Sequence, residues 1–330
     1  MKKLLITSAL VVAGGAAFAD GHVSVGGFAE IGIANNGTDS SMHQDLDVNF
    51  SLSGETDNGL SFGASMDLDE AADLGASGSD QSTNGAVFIS GDFGTLTMGD
   101  TDGAFDWALT EVAMGTAIAD DHTTSNGGYS GNSGFDSGNV LRYNHTIGDF
   151  SFALSWQDER AATLGTVTVN CLGTSTGGAC TGGTSTSASG GAAAMEEAIG
   201  VGVKYSADLG GTTLGIGLGY QEQGDADIIG ISLSAGFSGI DAVVNYSEED
   251  DGAGTKTKHS AIGLGYTMDA LLLHVNYGEL DVGGTKTTGF GAVVNYDLGG
   301  GAVVALGYGS SSPATGASTD TWSLGVRMDF

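Results

Sequence analysis

Residues 321–330 read TWSLGVRMDF, and their apolar members alternate strictly with small or charged ones. Trp322, Leu324, Val326, Met328 and Phe330 form the apolar half of this alternation. A period of two places successive side chains on opposite faces of an extended chain, so the segment predicts a β-strand with one apolar face. Such a face needs an apolar solvent or a packing partner.

The same alternation recurs along most of the chain. It predicts sixteen strands, at about 22–34, 44–54, 59–70, 84–91, 94–101, 138–147, 149–158, 196–208, 212–222, 226–237, 239–249, 256–268, 269–280, 285–297, 301–310 and 319–330. Tight turns such as TDNG at 56–59 alternate with longer connectors, notably 102–137 and 159–195. Short turns at one end and long loops at the other are typical of an up-and-down barrel that crosses a membrane. The predicted fold is therefore all-β, a transmembrane 16-stranded antiparallel up-and-down barrel formed as one domain by residues 20–330.

Outward-facing aromatic residues sort into two levels of the predicted strands. Those at the long-loop ends are Trp156, Tyr220, Tyr246, Tyr277, Tyr308 and Trp322, and those at the tight-turn ends are Tyr205, Phe237, Tyr266, Tyr296 and Phe330. Tyr and Trp favour the membrane–water interface because each has an apolar body and a polar atom. A soluble sandwich also alternates but has no reason to form two aromatic rings, so we expect a barrel embedded in lipid.

The first 19 residues have the features of a secretory signal peptide. Lys2 and Lys3 precede an apolar stretch at 4–12, and Ala17-Phe18-Ala19 is a small-x-small cleavage site. We therefore expect an exported chain that begins at Asp20 after cleavage. The whole sequence has 9 Lys and Arg against 40 Asp and Glu, a net charge of −31. A surface this acidic repels nucleic acid, which excludes it as an expected partner.

Two cysteines, Cys171 and Cys180, lie in a stretch rich in Gly, Ser and Thr. In an exported protein they predict a disulfide that closes a local loop. Two thiols without a role are the alternative. No His or Asp lies near enough in sequence to complete a zinc site with them.

Three segments carry a resemblance to a known family: SLSGETDNGLSFGAS (51–65), VFISGDFGTLTMGD (87–100) and NYDLGGGAVVALGY (295–308). They resemble the sixteen-stranded general porins of Gram-negative bacteria, in particular the alphaproteobacterial, Rhodobacter-type porins. The resemblance implies a homotrimer of water-filled barrels in outer-membrane lipid, with a third loop folded inward as a constriction. Small hydrophilic solutes and ions would diffuse through it. Residues 102–137 are the candidate for that loop, and AFDWALTEVAMG at 104–115 predicts a short helix within it.

The candidate constriction residues are mostly acidic. They are Asp100, Asp102, Asp106, Glu111, Asp120 and Asp121 on or beside the loop, Glu30, Asp45, Asp47 and Asp67 on the wall, and Arg142. General porins usually set basic wall residues against an acidic loop, whereas here no Lys or Arg occurs between Asp20 and Leu141. Rings of Asp and Glu attract cations and exclude anions. We therefore predict a cation-preferring pore whose preference weakens at high salt, the alternative being that these acids are dispersed surface charge.

Three basic residues also face inward by parity, namely Arg142, Lys204 and Arg327. Arg142 begins the sixth predicted strand, where it is placed to hold the loop through an acid, and Arg327 is placed to pair with a wall carboxylate. The other inward positions are mainly Ser, Gly, Asn, Thr and acids. That set favours a non-specific pore.

No cofactor is required, but Asp100, Asp102 and Asp106 form a possible Ca²⁺ site, because calcium prefers several oxygen ligands on a flexible loop; the resemblance raises this expectation, since porins of this type can bind calcium. The six histidines are scattered outside any nucleophile–base motif, so we expect no enzyme. The alternative function is an outer-membrane adhesin or binding barrel with a plugged pore, in which 159–195 contacts external ligands.

Overall fold

The computed structural model describes residues 21–69, 83–118, 134–135, 139–159, 166–170, 184–188 and 196–330. Its first seven strands are β1 (His22–Asn35), β2 (Ser40–Glu55), β3 (Ser61–Asp69), β4 (Thr83–Gly91), β5 (Gly94–Gly99), β6 (Val140–Ile147) and β7 (Phe150–Gln157). A short helix, α1 (Ala104–Ala108), lies between β5 and β6. Two short strands follow β7, namely β8 (Thr166–Asn170) and β9 (Thr184–Ala188).

Nine further strands complete the described part of the chain. They are β10 (Ala198–Asp208), β11 (Thr212–Gln223), β12 (Ala226–Phe237), β13 (Ile240–Asp250), β14 (Lys256–Met268), β15 (Leu271–Val282), β16 (Thr285–Gly299), β17 (Ala302–Ser312) and β18 (Thr319–Asp329). Sixteen strands, all except β8 and β9, pair in one closed antiparallel barrel, which confirms the predicted fold class. Among the described residues, no helix has the length and apolar character needed to span a membrane.

The strand predictions agree with the structure except at one place. The hairpin formed by β8 and β9 was not predicted; it lies within the connector 159–195, and its two strands pair only with each other. Four predictions concern residues outside the described part: the signal peptide at 1–19, the disulfide between Cys171 and Cys180, and the roles of Asp120 and Asp121.

The last strand closes the barrel against the first. β18 pairs with β1 in an antiparallel register that sets Ile31 opposite Val326, and the amide of Phe330 donates to the carbonyl oxygen of Gly27 at 2.9 Å. The alternation of residues 321–330 places Trp322 on the outer face, 37% exposed, and Ser323 on the inner face, fully buried. Closure removes the open sheet edges, whose unpaired backbone groups hydrocarbon would penalise by several kcal/mol each.

Charged hydrogen bonds cross the inner side of this seam. Arg327 Nη1 donates to Glu30 Oε1 at 3.0 Å, and Arg327 Nε donates to Asp329 Oδ1 at 3.1 Å. His43 Nε2 lies 3.3 Å from Glu30 Oε2, and the Arg327 guanidinium lies 3.6 Å from the centroid of the Phe28 ring. Because Glu30 is only 3% exposed, its carboxylate depends on these partners in place of water.

The first prediction concerns this seam. Glu30→Gln keeps the side-chain volume but removes the charge that Arg327 meets. We expect the free energy of unfolding to fall by about 1–2 kcal/mol, since charge-assisted hydrogen bonds contribute more than neutral ones. Urea unfolding of the lipid-reconstituted barrel, followed by tryptophan fluorescence, measures the change. Glu55→Gln, at an exposed glutamate of the same wall, is the control; equal stability of the two variants would contradict the prediction.

Candidate functional site

The chain leaves the barrel wall after β5 and folds into the lumen. The structure describes its residues 101–118 and 134–135, and the first of these stretches contains α1, which packs against β7, β10 and β11. The helix ends at Ala108 because Leu109 is extended, with φ −88° and ψ 156°. The helix predicted over 104–115 is therefore shorter than expected, and the residues beyond it bond to the wall.

Polar wall side chains bind the backbone of this inward loop. The Ala104 amide donates to Ser155 Oγ on β7 at 2.8 Å, and the Thr110 amide donates to Ser232 Oγ on β12 at 2.9 Å. Asn245 Nδ2 on β13 donates to the Thr110 carbonyl oxygen at 3.0 Å. A loop packed against a wall needs such partners because buried backbone groups are costly when unpaired.

The loop is fixed further along by one asparagine. Asn295 on β16 accepts a hydrogen bond from the Thr116 amide at 2.9 Å and donates to the Thr116 carbonyl oxygen at 2.7 Å. Gln221 on β11 accepts a bond from the amide of Phe135 at 2.9 Å. The loop thus follows the inner wall from β7 to β16.

These contacts change the interpretation of the inward polar residues. They were expected to line a non-specific pore, but Ser155, Ser232 and Asn245 are nearly inaccessible and face the loop backbone. Period-two parity identifies an inward residue without showing whether water or another chain segment covers it. Sequence reasoning therefore missed their role as loop anchors.

Apolar side chains of the loop fill the space against the wall. Phe105, Val112, Ala117 and Ile118 are fully buried. Met114 packs on the cluster that Val112 forms with wall residues of β13 and β14. Burial of these side chains stabilises the inward position of the loop through the hydrophobic effect.

The base of the loop holds charges of both signs. Arg142 Nη1 on β6 donates to the Asp102 carbonyl oxygen at 2.7 Å and lies 3.9 Å from its carboxylate. Lys204 Nζ on β10 lies 4.3 Å from the centroid of the Trp107 ring, a cation–π contact. The carboxylates of Asp102 and Asp106 attract the Lys204 ammonium, and the Arg142 guanidinium repels it. The two basic side chains on this part of the wall thus lie beside carboxylates of the loop.

Three predicted wall acids form what we call the acidic face: Asp45 and Asp47 on β2 and Asp67 on β3. All three are partly exposed and face inward, and the strand register sets Asp67 opposite Asn49. Glu30 is the register partner of Asp45, but it is buried in the seam, where Arg327 pairs with its carboxylate.

The acidic face lies across the lumen from the part of the loop around Thr110. In the closed order of sixteen strands, β2 and β12 are eight strands apart in either direction, as are β3 and β13. β12 and β13 are the strands that hold Thr110, and its neighbour Glu111 is exposed. Asp102 is exposed and Asp106 partly exposed, whereas Asp100 is exposed at the end of β5. By strand order, acids therefore lie on opposite sides of the lumen.

The residues predicted to bind calcium do not form a preformed group of ligands. Among the residues that the structure describes, no three His, Cys, Asp or Glu side chains lie together in an arrangement able to hold a metal ion. Asp100, Asp102 and Asp106 are all within the described part, so they are not brought together as a ligand set. Binding of Ca²⁺ by these residues stays a prediction.

Comparison with known proteins gives one family. The profile of the family described as Gram-negative porin matches residues 7–330. A porin of Rhodobacter capsulatus is 25% identical over 347 residues, covering 94% of this chain and all of that protein.

Solved structures agree with that family in fold. A refined porin structure superimposes with a TM-score of 0.67 at 21% identity, over 94% of this chain and all of the other. A triple mutant of Rhodopseudomonas blastica porin gives a TM-score of 0.63 at 19% identity with the same coverage. At these identities the structural likeness shows the fold alone.

A second prediction concerns the anchoring of the loop. Asn295→Ala removes both hydrogen bonds between the buried Asn295 side chain and the partly buried backbone of Thr116. We expect the Thr116 amide to exchange with solvent deuterium at least about fivefold faster, since an unpaired buried group costs about 1–3 kcal/mol. Mass spectrometry of peptides covering 110–118 measures the exchange. Asn144→Ala, an asparagine near the tight-turn end of β6, is the control; unchanged exchange in the Asn295 variant would show that this anchor is dispensable.

Proposed function

The chain belongs to the family of Gram-negative porins, and from that premise we propose that it forms a water-filled diffusion channel that prefers cations. It is an outer-membrane porin, as its family and its closed barrel establish. The lumen supports the preference for cations, and the family supports the proposed solutes and assembly. The proposal needs neither enzymatic activity nor a bound cofactor.

One observation carries the preference: the acidic face of Asp45, Asp47 and Asp67 lies across the lumen from the segment of the loop that is anchored at Thr110. Carboxylates lining a narrow opening lower the energy of a cation there and raise that of an anion. On the loop side, Asp106 and Glu111 add negative charge, whereas Arg142 offsets the charge of Asp102.

The inward basic residues support the same conclusion. Arg327 is bonded to Glu30 and Asp329, and Arg142 is bonded to Asp102. Lys204 stacks on Trp107 at the base of the loop. Each of these cations lies beside carboxylates or an indole ring, and none lies on β2 or β3. The field across the opening is therefore dominated by acids.

The solutes and the assembly follow from the family. We propose passage of small hydrophilic solutes and ions, with cations favoured, and a homotrimer in outer-membrane lipid, as the resemblance to general porins implies. Chemical cross-linking in detergent tests the trimer. The outer face that lipid or a neighbouring subunit would cover carries exposed apolar side chains such as Leu218, Val244 and Ile262.

The zero-current potential in a planar bilayer under a KCl gradient tests the channel directly. We expect a potential near the K⁺ limit at low salt that declines as the screening length shortens from about 10 Å at 0.1 M to about 3 Å at 1 M. A large conductance with a potential near zero would refute the cation preference and leave the porin. An absence of conductance would favour the plugged binding barrel.

A third prediction assigns the selectivity to the acidic face. The triple variant Asp45→Asn, Asp47→Asn, Asp67→Asn removes three inward charges at nearly constant volume. We expect its K⁺/Cl⁻ permeability ratio to fall severalfold, because the potential of the opening scales with its fixed charge. The measurement is the same zero-current potential.

The matched control removes three charges elsewhere. Asp57→Asn, Asp149→Asn and Asp269→Asn alter acids of the tight turns, outside the inward face of the wall. Equal loss of selectivity in the two triple variants would assign the effect to total charge, contrary to the prediction.

A further inference from the structure

The inner wall under the loop is rich in glycine, and we propose that these glycines set the width of the pore by fixing how closely the loop lies against the wall. The inference rests on the proposed channel and adds the residues that determine its size limit. The period-two alternation places these glycines on the inner face of the wall, but it does not indicate what they contact there.

Three of them face carbonyl oxygens of the loop at backbone distance. A Cβ built on each glycine with ideal geometry would lie 2.0–2.1 Å from a carbonyl oxygen, in the pairs Gly202 with Ala104, Gly217 with Ala108, and Gly263 with Val112. No side chain fits at that distance, since non-bonded carbon and oxygen atoms normally stay more than 3 Å apart. Loop and wall therefore touch through backbone alone at these points.

The three contacts have a regular spacing. Ala104, Ala108 and Val112 are four residues apart in the loop, while the glycines lie on β10, β11 and β14. All three loop residues are fully or almost fully buried. The loop is thus held close to the wall at three points, on β10, β11 and β14.

Other inward glycines accommodate loop side chains. The Phe105 ring and backbone lie against Gly219, whose added Cβ would come within 2.9 Å of them. At the barrel seam, the side chain of Ile118 lies 2.3 Å from the position of a Cβ on Gly32 and 2.6 Å from that on Gly325. Ile118, which ends the described stretch 101–118 of the loop, therefore rests on glycines of both β1 and β18.

If a methyl group is added at one of these glycines, either the loop or the wall strand must move, and the less rigid of the two will do so. The wall strands are hydrogen-bonded on both sides, whereas the loop beyond α1 is held by a few side-chain bonds. Relief of a 2.0 Å contact needs a displacement of about 1 Å or more, and the loop can move only away from the wall. That direction is toward the acidic face, so the opening narrows.

The experiment compares Gly217→Ala and Gly263→Ala with Gly215→Ala. Gly215 lies on the same strand and face as Gly217, but its added Cβ would meet only the Ser234 side chain, whose hydroxyl can rotate away. Single-channel recording reports folded, inserted barrels, so a lower folding yield does not affect the reading. Each variant is also tested for liposome swelling with neutral sugars of increasing size.

We call Gly217→Ala and Gly263→Ala the track variants, because each adds a methyl group at a glycine that the loop backbone touches. We expect both track variants to lose single-channel conductance and to exclude the larger sugars, while Gly215→Ala behaves as wild type. Track variants with wild-type conductance and size limit would overturn the proposal. It would fail equally if neither track variant gave channels while the control did, since the glycines would then serve folding. A wild-type protein without conductance would refute the proposed function instead, so the two failures are distinguishable.

Discussion

Closure of the barrel between β1 and β18 is the constraint on which the rest of the structure depends. Hydrocarbon offers no hydrogen bonds, so every strand must have two neighbours, and the terminal strands supply each other's second edge. The pairing also brings Arg327 to Glu30, almost the whole chain apart in sequence. This seam then offers Gly32 and Gly325 as the surface on which Ile118 of the loop rests.

The closed wall makes an asymmetric lumen. One side is covered by a chain segment whose backbone is bonded to Ser155, Ser232 and Asn245, so those polar residues are withdrawn from solvent. The opposite side keeps Asp45 and Asp47 partly exposed. The charge of the opening therefore follows from which wall segment the loop covers, and the loop can lie there because that wall carries glycine and small polar residues.

Much of the fold was predictable because period two is a local signal. The alternation at 321–330 and the DG- and NG-type turns identified the barrel strands to within a few residues. The hairpin of β8 and β9 escaped because the alternation of β8 covers only five residues, TVTVN, and β9, TSTSA, has almost no apolar side chain to alternate. Burial of Glu30 and the anchoring by Asn295 escaped because each depends on a partner distant in sequence. Parity predicts the face of a residue but not what covers it.

We propose that cations occupy the opening between the acidic face and the loop. The most direct measurement is anomalous diffraction from crystals of the protein grown in rubidium bromide, with data collected at the rubidium and bromine absorption edges. We expect rubidium peaks between the Asp45 and Asp47 carboxylates and the loop residues Asp106 and Glu111. Bromide peaks at that level, with rubidium absent from it, would contradict the account.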